Sequence, residues 1–372
     1  MKIELAEILL IVFGAGLCIH LLYYFFFFSR IAFHKKGAVN THQPPVSVII
    51  CARSESAKLM ENLPYVFDQD YPDFEVVVVN DRSWDDTKEI LKAFQVRFQR
   101  LKVIQIEESN HEHYGKKMAL TIGIKGASHE LLLLTDADCK PASSKWIAQM
   151  VEKHLDGKEV VLGYSPYQRK KKSMLNRIIR FDTFWAGMHY LSFAKAGLPY
   201  MGVGRNLMYE KKTFFRVSGF KKHYHISSGD DDLFVKEVGT RKNTAVCIHP
   251  EAHTLSSPKE TFTDWFRQKK RHFTTAPHYK LKHKLLLSFY SLALILLLSS
   301  TIGLIVLNKY LLIILRAWFF RLLLQMVIFS RSMKLLGDKD LLIWSPLLEW
   351  IIFIIHPVIH ISNRFVKADK WN

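Results

Sequence analysis

Two carboxylates close together follow a short apolar run near the middle of the chain. Asp136 and Asp138 end the segment Leu-Leu-Leu-Leu-Thr-Asp-Ala-Asp at residues 131–138. Side chains alternate along an extended chain, so residues two apart lie on the same face. Carboxylate oxygens suit Mg²⁺ or Mn²⁺, which proteins commonly hold through one or two carboxylates together with substrate phosphates. The pair predicts a metal site for a phosphorylated substrate, with a solvated turn after a strand as the alternative.

Five short apolar runs and the stretches between them predict the domain that positions these carboxylates. The runs occupy residues 46–50, 74–79, 101–106, 131–134 and 160–162, and helix-like stretches occupy residues 55–67, 85–98, 116–126 and 144–154. Strands that are apolar throughout and separated by helices are typical of a parallel sheet covered on both faces. The sequence therefore predicts an α/β domain with a mostly parallel sheet and helices on both faces.

Polar clusters follow three of the predicted strands. Residues 53–55 follow the first strand, Asn80 and Asp81 follow the second, and Asp136 and Asp138 follow the fourth. Ligands of open α/β sheets bind beyond the carboxyl ends of the strands, so the three clusters should converge on one site. The sequence has no GxGxxG motif after the first strand and no GxxxxGK[ST] motif, which argues against a dinucleotide fold and a P-loop.

Apolar segments at both ends of the chain predict membrane spans. Residues 8–28 can cross a hydrocarbon core of roughly 30 Å, and they lead directly into Arg30, so an anchor is favoured over a cleaved signal. Residues 285–307 and 341–361 are further predicted spans. Residues 310–330 are apolar but contain Arg316 and Arg321, and charges inside a membrane normally face a partner or a cavity. We interpret this segment as a third C-terminal span or a re-entrant helix.

The charge distribution indicates partners and orientation. The chain has 52 Lys and Arg against 34 Asp and Glu, a net charge of +18, which fits an anionic membrane surface, phosphorylated substrates or nucleic acid. Basic residues concentrate in residues 30–284, whereas the N-terminal flank has Lys2 against Glu4 and Glu7. The positive-inside rule therefore places the middle region in the cytoplasm and the N-terminus outside. The four cysteines form no CxxC pair and give no support to thiolate metal binding.

These patterns predict four regions along the chain. They are an N-terminal transmembrane anchor at residues 1–30, a cytoplasmic domain at 31–260, an amphipathic interfacial helix region at 261–284, and a C-terminal transmembrane region at 285–372 with about three spans. In the interfacial region, Lys and Arg alternate with Phe262, Trp265, Phe266 and Phe273. We expect these aromatic side chains to anchor a helix at the membrane surface.

Four motifs in the cytoplasmic region carry a resemblance to a known family. They are Val-Ile-Ile-Cys-Ala-Arg-Ser-Glu at residues 48–55, Val-Val-Val-Asn-Asp-Arg-Ser-Trp-Asp-Asp-Thr at 77–87, Gly-Lys-Lys-Met-Ala-Leu at 115–120 and Thr-Asp-Ala-Asp at 135–138. Residues 45–273 resemble the family 2 inverting glycosyltransferases, in the membrane-anchored subgroup that includes cellulose, chitin and hyaluronan synthases. The resemblance implies a GT-A-like fold flanked by transmembrane α-helices.

The resemblance also implies a donor site for a nucleotide-sugar, in particular a UDP-sugar. Mg²⁺ or Mn²⁺ would be held by Asp136 and Asp138. In the family, the carboxylate at the position of Asp81 reads the uracil, and the lysine at the position of Lys116 lies by the nucleotide. The implied donor-binding residues are Arg53, Glu55, Asp81, Lys116 and Asp136.

Two later motifs imply catalytic residues. Ser-Gly-Asp-Asp-Asp-Leu at residues 228–233 resembles the family's TEDxDL segment, which carries the catalytic base. Alignment on the leucine makes Asp230 the base, while Ser-Gly in place of Thr-Glu keeps Asp231 as an alternative. Gln268 and Arg271 match QxxRW, with His272 in place of the Trp. The resemblance implies that Arg271 adds positive charge at the leaving group.

Together with these patterns, the resemblance implies a membrane-bound, metal-dependent inverting hexosyltransferase at the cytoplasmic face of the cell membrane. It would transfer a sugar to a lipid-linked or carbohydrate acceptor, in contact with membrane lipids. The small number of C-terminal spans favours a lipid-linked acceptor, a short glycan, or a pore formed with membrane protein partners. The alternative is a catalytically inactive, membrane-anchored scaffold that binds nucleotide-sugars, suggested by the altered base motif and His272. Nucleic-acid binding is disfavoured because no recognisable nucleic-acid motif is present.

Overall fold

A mixed sheet forms the centre of the domain between the two apolar ends. The computed structural model describes residues 4–35, 41–107, 115–226 and 228–365, and within them seven strands pair in the order β3-β2-β1-β4-β7-β6-β8. These strands are β1 (Val46–Ala52), β2 (Phe74–Asp81), β3 (Leu101–Ile106), β4 (Leu131–Asp136), β6 (Val160–Leu162), β7 (Leu207–Glu210) and β8 (Thr244–Val246). A separate antiparallel pair is formed by β5 (Cys139–Pro141) and β9 (Thr254–Ser256).

Helices surround the sheet and continue into the apolar ends. Those near the N-terminus are α1 (Leu5–Leu22), which continues through a π-helical stretch (Tyr23–Phe28), and α2 (Ser29–Ala32). The central helices are α3 (Ser56–Phe67), α4 (Thr87–Arg97), α5 (Lys116–Gly126), α6 (Trp146–Val151), α7 (Met174–Lys195), α8 (Lys211–Arg216), α9 (Asp232–Val238) and α10 (Phe262–Phe273). The C-terminal helices are α11 (Leu281–Val306), α12 (Leu311–Leu336) and α13 (Ser345–Phe365).

The first half of the sheet follows the prediction. β1 pairs in parallel with β2 and β4, and β2 pairs in parallel with β3. Every residue of β1 is buried, as expected for a continuous apolar strand that is covered on both faces. Because these strands are parallel, the carboxyl ends of β1, β2 and β4 meet at one edge of the sheet.

The second half of the sheet departs from a parallel arrangement. β7 runs antiparallel to both β4 and β6, whereas β6 and β8 pair in parallel. These strands have three or four residues each, too short to show a reliable period in the sequence. Their direction is set by pairing between distant parts of the chain, which local pattern does not report.

Four helical segments among the described residues are long and apolar enough to cross a membrane. They are Leu5–Ala32, Leu281–Val306, Leu311–Leu336 and Lys339–Asn363. α1 packs along α11, and a Cβ at Gly16 would lie only 3.0 Å from the carbonyl oxygen of Ala293. Small residues allow this close approach of membrane helices. The predicted fold, a mostly parallel α/β sheet with apolar helices before and after it in the chain, is therefore confirmed.

α12 accounts for Arg321, one of the two arginines inside the apolar segment at residues 310–330. It is one unbroken helix, not a short re-entrant turn. The Arg321 guanidinium donates to Glu349 at 2.7 Å, and both side chains are at most 4% exposed. Gln325 and Tyr290 donate further hydrogen bonds to the Glu349 carboxylate. Arg321 thus faces a partner inside the helix bundle, as expected for a charge in an apolar segment.

α13 is held against the central domain by contacts near both of its ends. The Arg177 guanidinium lies 4.4 Å from the ring centroid of Trp344, just before the helix begins. His356 contacts the Asp182 carboxylate of α7 at 2.7 Å, and Asn363 donates to the backbone of α10 at 2.9 Å. By length and composition this segment could cross a membrane. Its contacts with α7 and α10 lie in its C-terminal half, and the span at residues 341–361 stays a prediction.

α10 corrects one detail of the predicted interfacial helix. Trp265 is 1% exposed and packs inside the domain, so its prediction as a membrane anchor is wrong. Phe262 stays 47% exposed, and the Phe273 ring contacts His356 of α13. A tryptophan at helical spacing suits a core as well as a membrane surface. Only the position of the helix in the fold shows whether such a tryptophan packs in a core or lies at a membrane surface.

Candidate active site

One cavity lies beyond the carboxyl ends of β1 and β4, between the sheet and helices α7, α9 and α10. Its volume is about 580 Å³, which is within the range of small-molecule sites. It brings together most of the predicted site residues, namely Arg53, Glu55, Lys116, Asp136, Asp138, Asp230, Asp231, Gln268 and Arg271. Asp81 is not among the lining residues.

Asp81 is buried at the end of β2, outside the cavity. Arg82 donates to its carboxylate twice, from Nε at 2.7 Å and from Nη2 at 3.2 Å. The Asp81 side chain is 3% exposed, so its oxygens are engaged within the protein. A direct role for Asp81 in reading a nucleotide base stays a prediction.

Asp136 is the last residue of β4, and Asp138 lies in the two-residue turn before β5. Their carboxylate oxygens and the Cys139 sulfur all lie within 4.8 Å of one another. Burial, with Asp138 nearby, raises the pKa of the Cys139 thiol well above its usual range, so it stays neutral and is a poor metal ligand. The two carboxylates face an open cavity, which leaves room for water or phosphate oxygens around a cation. This donor set fits Mg²⁺ or Mn²⁺.

Glu55 adds a third carboxylate to the same part of the cavity. Burial and the neighbouring Asp138 raise the pKa of Glu55 to about 7. Carboxylates crowded together in a partly buried site repel one another. A bound cation would relieve that repulsion, which is a second reason why this end of the cavity fits a metal ion.

Lys116 connects the carboxylate pair to the acidic residues on the other side of the cavity. It begins α5 directly after Gly115, whose φ of +143° favours glycine. Its ammonium donates to Asp136 at 2.7 Å and lies 3.2 Å from Asp230. Burial opposes the charge on Lys116, but Asp136 and Asp230 outweigh it and raise its pKa well above the usual value.

Asp230 and Asp231 lie just before α9, where their environments differ. Asp231 caps the helix, because its carboxylate accepts the backbone N–H groups of Asp232 and Gly204, each at 2.7 Å. Burial and the neighbouring carboxylates raise the pKa of Asp231 to about 7. Burial acts in the same direction on Asp230, but Lys116 outweighs it and lowers the pKa of Asp230. The pKa values of these two adjacent carboxylates are thus shifted in opposite directions, a pattern common at acid–base sites.

α10 supplies the opposite wall of the cavity. Gln268 accepts a hydrogen bond from the Tyr167 hydroxyl at 3.4 Å, and Arg271 is half-buried beside it. The sequence did not single out Arg205, whose guanidinium lies 4.6 Å from the Tyr167 ring centroid and donates to Ser256 at 2.9 Å. Its only signal was its place in the Gly-Arg-Asn segment at residues 204–206.

The inner end of the cavity reaches the apolar helices. Asp182 of α7 is 2% exposed and binds Lys269 of α10 and His356 of α13, each at 2.7 Å. Tyr290 and Ser291 of α11 also line this end. Sequence patterns missed this triad because its members come from three helices that are far apart in the chain. The cavity therefore runs from the carboxylate pair to the membrane-type helices.

Comparison with known sequences identifies the central domain. Residues 47–220 match the glycosyl transferase family 2 profile. The probable glycosyltransferase YdaM of Bacillus subtilis is 25% identical over 236 residues, which cover 61% of this chain and 54% of that protein. The poly-beta-1,6-N-acetyl-D-glucosamine synthase of Staphylococcus epidermidis is 31% identical over 118 residues, covering 31% of this chain and 27% of the synthase. The chain therefore matches 54% or less of the length of these relatives.

Comparison with solved structures supports the fold. The mannosyltransferase PcManGT from Pyrobaculum calidifontis, solved in complex with GDP-Man and Mn²⁺, covers 92% of this chain with 98% of its own. The TM-score is 0.57 at 19% sequence identity, so the similarity concerns the fold alone. The predicted GT-A-like architecture and the family resemblance are both confirmed. Residues 47–220 thus match the glycosyl transferase family 2 profile, and this chain combines that region with apolar helices at both ends.

Proposed function

We propose that the protein is a membrane-bound inverting glycosyltransferase that uses a nucleotide-sugar, most simply a UDP-sugar, as donor. One observation carries the proposal. A single cavity holds the Asp136–Asp138 pair and the Asp230–Asp231 pair, and the Lys116 ammonium lies 2.7 Å from Asp136 and 3.2 Å from Asp230. Donor-side and acceptor-side groups therefore stand within reach of one lysine.

The donor diphosphate would bind at the end of the cavity that carries Asp136 and Asp138. These carboxylates would hold Mg²⁺ or Mn²⁺, which when bound neutralises the diphosphate and stabilises its charge as it leaves. Lys116 and Arg271 line the same cavity and can bring fixed positive charge to the phosphates. A guanidinium can pair with a phosphate through two parallel hydrogen bonds, which favours Arg271 for this role.

The acceptor hydroxyl must lose its proton as the new bond forms, and we assign that proton to Asp231. The pKa of Asp231 is raised to about 7 by burial and by Asp230 and Asp232, close to the value that favours a general base at neutral pH. Asp230 is the weaker candidate because Lys116 lowers its pKa. Asp230 would instead keep the Lys116 ammonium between the two halves of the site.

The acceptor would reach Asp231 from the inner end of the cavity. That end is lined by Trp185, Tyr290, Ser291 and His356, next to the apolar helices. Aromatic faces and hydroxyl groups suit a carbohydrate, and the neighbouring apolar helices suit a lipid tail. A lipid-linked or carbohydrate acceptor fits this arrangement. The excess of Lys and Arg in residues 30–284 favours a cytoplasmic position for the domain in a multi-pass protein of the cell membrane.

A donor panel tests the proposal. Membranes containing the protein would be incubated with individual nucleotide-sugars and lipid extracts, and products would be identified by mass spectrometry. We expect one donor to give a glycosylated product whose new linkage has the inverted anomeric configuration. The matched control is the Asp231→Asn variant in the same membranes, which should bind donor and form product roughly 10²-fold more slowly or slower still.

A scaffold that binds nucleotide-sugars without turnover would give a different result. Donor would bind to the parent protein, but no donor in the panel would yield product with any acceptor extract. Parent and Asp231→Asn membranes would then be indistinguishable.

A further inference from the structure

Lys117, the neighbour of Lys116, binds backbone carbonyls rather than carboxylates. It is 6% exposed. Its ammonium donates to the carbonyl oxygens of His223 at 2.6 Å, Ile226 at 2.9 Å and Ser228 at 2.7 Å. It does not line the cavity. The proposed mechanism leaves this buried cation without a role.

The geometry around the Lys117 nitrogen requires the charged form. An ammonium has three N–H donors, one for each of the three carbonyls. A neutral amine has two, and its lone pair would face the third carbonyl. Burial lowers the pKa of Lys117, while Asp230, Asp232 and Asp231 act in the opposite direction. Three backbone carbonyls thus bind one ammonium group that belongs to the chain itself.

The carbonyls that Lys117 holds lead directly into the acidic segment. Ser228 precedes Asp230 by two residues, and Gly229 between them has a φ of +94°. A Cβ at Gly229 would lie 2.7 Å from the Leu233 side chain, so the turn has little freedom. The first turn of α5 therefore touches the segment twice. Lys116 contacts the Asp230 carboxylate, and Lys117 fixes the backbone just before it.

We propose that Lys117 is a positioning residue whose ammonium serves as a built-in cation, holding the backbone so that Asp230 and Asp231 are correctly placed for transfer. The inference rests on the proposed function, because it assigns the aligned carboxylates to the acceptor. It concerns chemistry rather than donor binding, since the donor carboxylates lie on a separate turn. A displacement of about 1 Å at reacting groups can lower turnover by roughly 10²-fold.

The Lys117→Ala variant tests the proposal by chemical rescue. It removes the ammonium and three methylenes, a gap that n-propylammonium can fill. We expect kcat to fall about 10- to 100-fold while the donor KM changes little. Propylammonium should restore part of kcat, and tetramethylammonium at equal ionic strength should not, because it has no N–H donor. Lys125→Ala, an exposed lysine on the same helix, is the matched control and should behave like the parent protein.

Two readouts keep the proposal separate from the proposed function. The thermal unfolding temperature of Lys117→Ala should rise with propylammonium and not with tetramethylammonium, whether or not a transfer reaction has been found. If Lys117→Ala does not accumulate, Lys117→Arg replaces it, with a lower kcat at unchanged donor KM expected. The proposal is overturned by a kcat within twofold of the parent for the variant tested. It is equally overturned if propylammonium changes neither kcat nor the unfolding temperature of Lys117→Ala.

Discussion

Asp230 and Asp231 illustrate what a sequence leaves open at the scale of single residues. The sequence places both in an acidic segment, and alignment allows either to be the base. The distinction depends on Lys116, which lies more than a hundred positions earlier in the chain and whose ammonium lies 3.2 Å from the Asp230 carboxylate. Burial of the segment and the cap that Asp231 makes to α9 are likewise tertiary features. Residue types could be predicted here, but their acidities could not.

The pH dependence of transfer should identify the base. A general base must be deprotonated, so turnover should rise with pH up to about 7, the raised pKa of Asp231, and then level off. Asp231→Asn should lower kcat by roughly 10²-fold or more with donor affinity kept within a few-fold. Asp230→Asn removes a negative neighbour, so the acidic limb of the profile should move to lower pH. The assignment is wrong if Asp230→Asn abolishes turnover while Asp231→Asn keeps the parent profile.

Divalent cations should be required at the Asp136–Asp138 pair. We expect Asp138→Asn to abolish turnover, because one remaining carboxylate cannot hold the ion and the diphosphate together. Chelation with excess EDTA should do the same to the parent protein, and Mg²⁺ or Mn²⁺ should restore it. Calorimetric titration of the metal in the presence of a nucleoside diphosphate provides a readout besides activity. Full turnover in excess EDTA would refute the metal assignment.

At the scale of elements, the predictable parts were those with a continuous local pattern. β1 to β4 and α5 follow from apolar runs and helical spacing. The polar clusters after β1 and β4 meet in one cavity as predicted, whereas Asn80 and Asp81 after β2 are buried outside it. β7 and β8 did not follow, because strands of three or four residues take their direction from partners elsewhere in the fold. α10 was predicted as a helix that shows Gln268 and Arg271 to the site, and both line the cavity. The face of α10 that is buried could not be predicted. Trp265 was predicted to lie at the membrane surface but is buried inside the domain.

Arg271 should be sensitive to a change that keeps its charge. We expect Arg271→Lys to lower turnover about tenfold or more with lipid and water-soluble acceptors alike, because an ammonium cannot pair bidentately with phosphate. Replacement of His272 by Trp should be tolerated better. Arg267→Lys, on the exposed side of the same helix, is the control and should be neutral. If Arg271→Lys is harmless with both acceptors, α10 contributes only to membrane attachment.

The Arg321–Glu349 pair should be important for the apolar helices. Glu349→Gln leaves a buried guanidinium without its counter-charge, and breaking such a pair typically costs roughly 3–5 kcal/mol. We expect a clear drop in thermal stability in lipid nanodiscs, partly recovered when Arg321→Met is added. Arg316→Leu, an exposed arginine on the same helix, is the control. Equal stability of Glu349→Gln and the parent would show that the pair does not hold α12 and α13 together.

At the scale of the whole molecule, contacts with the central domain show which ends of the C-terminal helices lie beside it. Asp338 and Asp340, after α12, bind Arg180 of the central domain at 2.8 and 2.6 Å. Asn363, near the end of α13, also bonds the central domain. From these contacts we expect α12 to return the chain to the side of the central domain, and α13 to end on that same side. Length and composition instead predict one more crossing at residues 339–363, because they register apolar residues and not the polar contacts with α7 and α10.

The position of the C-terminus tests this arrangement. We expect a C-terminal tag to be accessible from the same side of sealed vesicles as a cysteine at Lys125, in a Cys18→Ser background. A cysteine at Asn308, between α11 and α12, should be labelled from the opposite side. Membrane-impermeant maleimide and protease digestion on inverted vesicles would measure both. A tag on the same side as position 308 would mean that α13 crosses the membrane.

The most direct test of the account is acceptor-dependent release of nucleoside diphosphate by the purified protein in a bilayer. Parent, Asp138→Asn and Asp231→Asn proteins would be compared at saturating donor, with and without the acceptor found in the donor panel. We predict that the parent releases it only with acceptor and divalent cation present, in a one-to-one ratio with glycosylated product. Asp138→Asn should release none, and Asp231→Asn should release it roughly 10²-fold more slowly or slower still. Donor binding without acceptor-dependent release from the parent, or equal release from the parent and both variants, would contradict the assignment of this cavity as a sugar-transfer site.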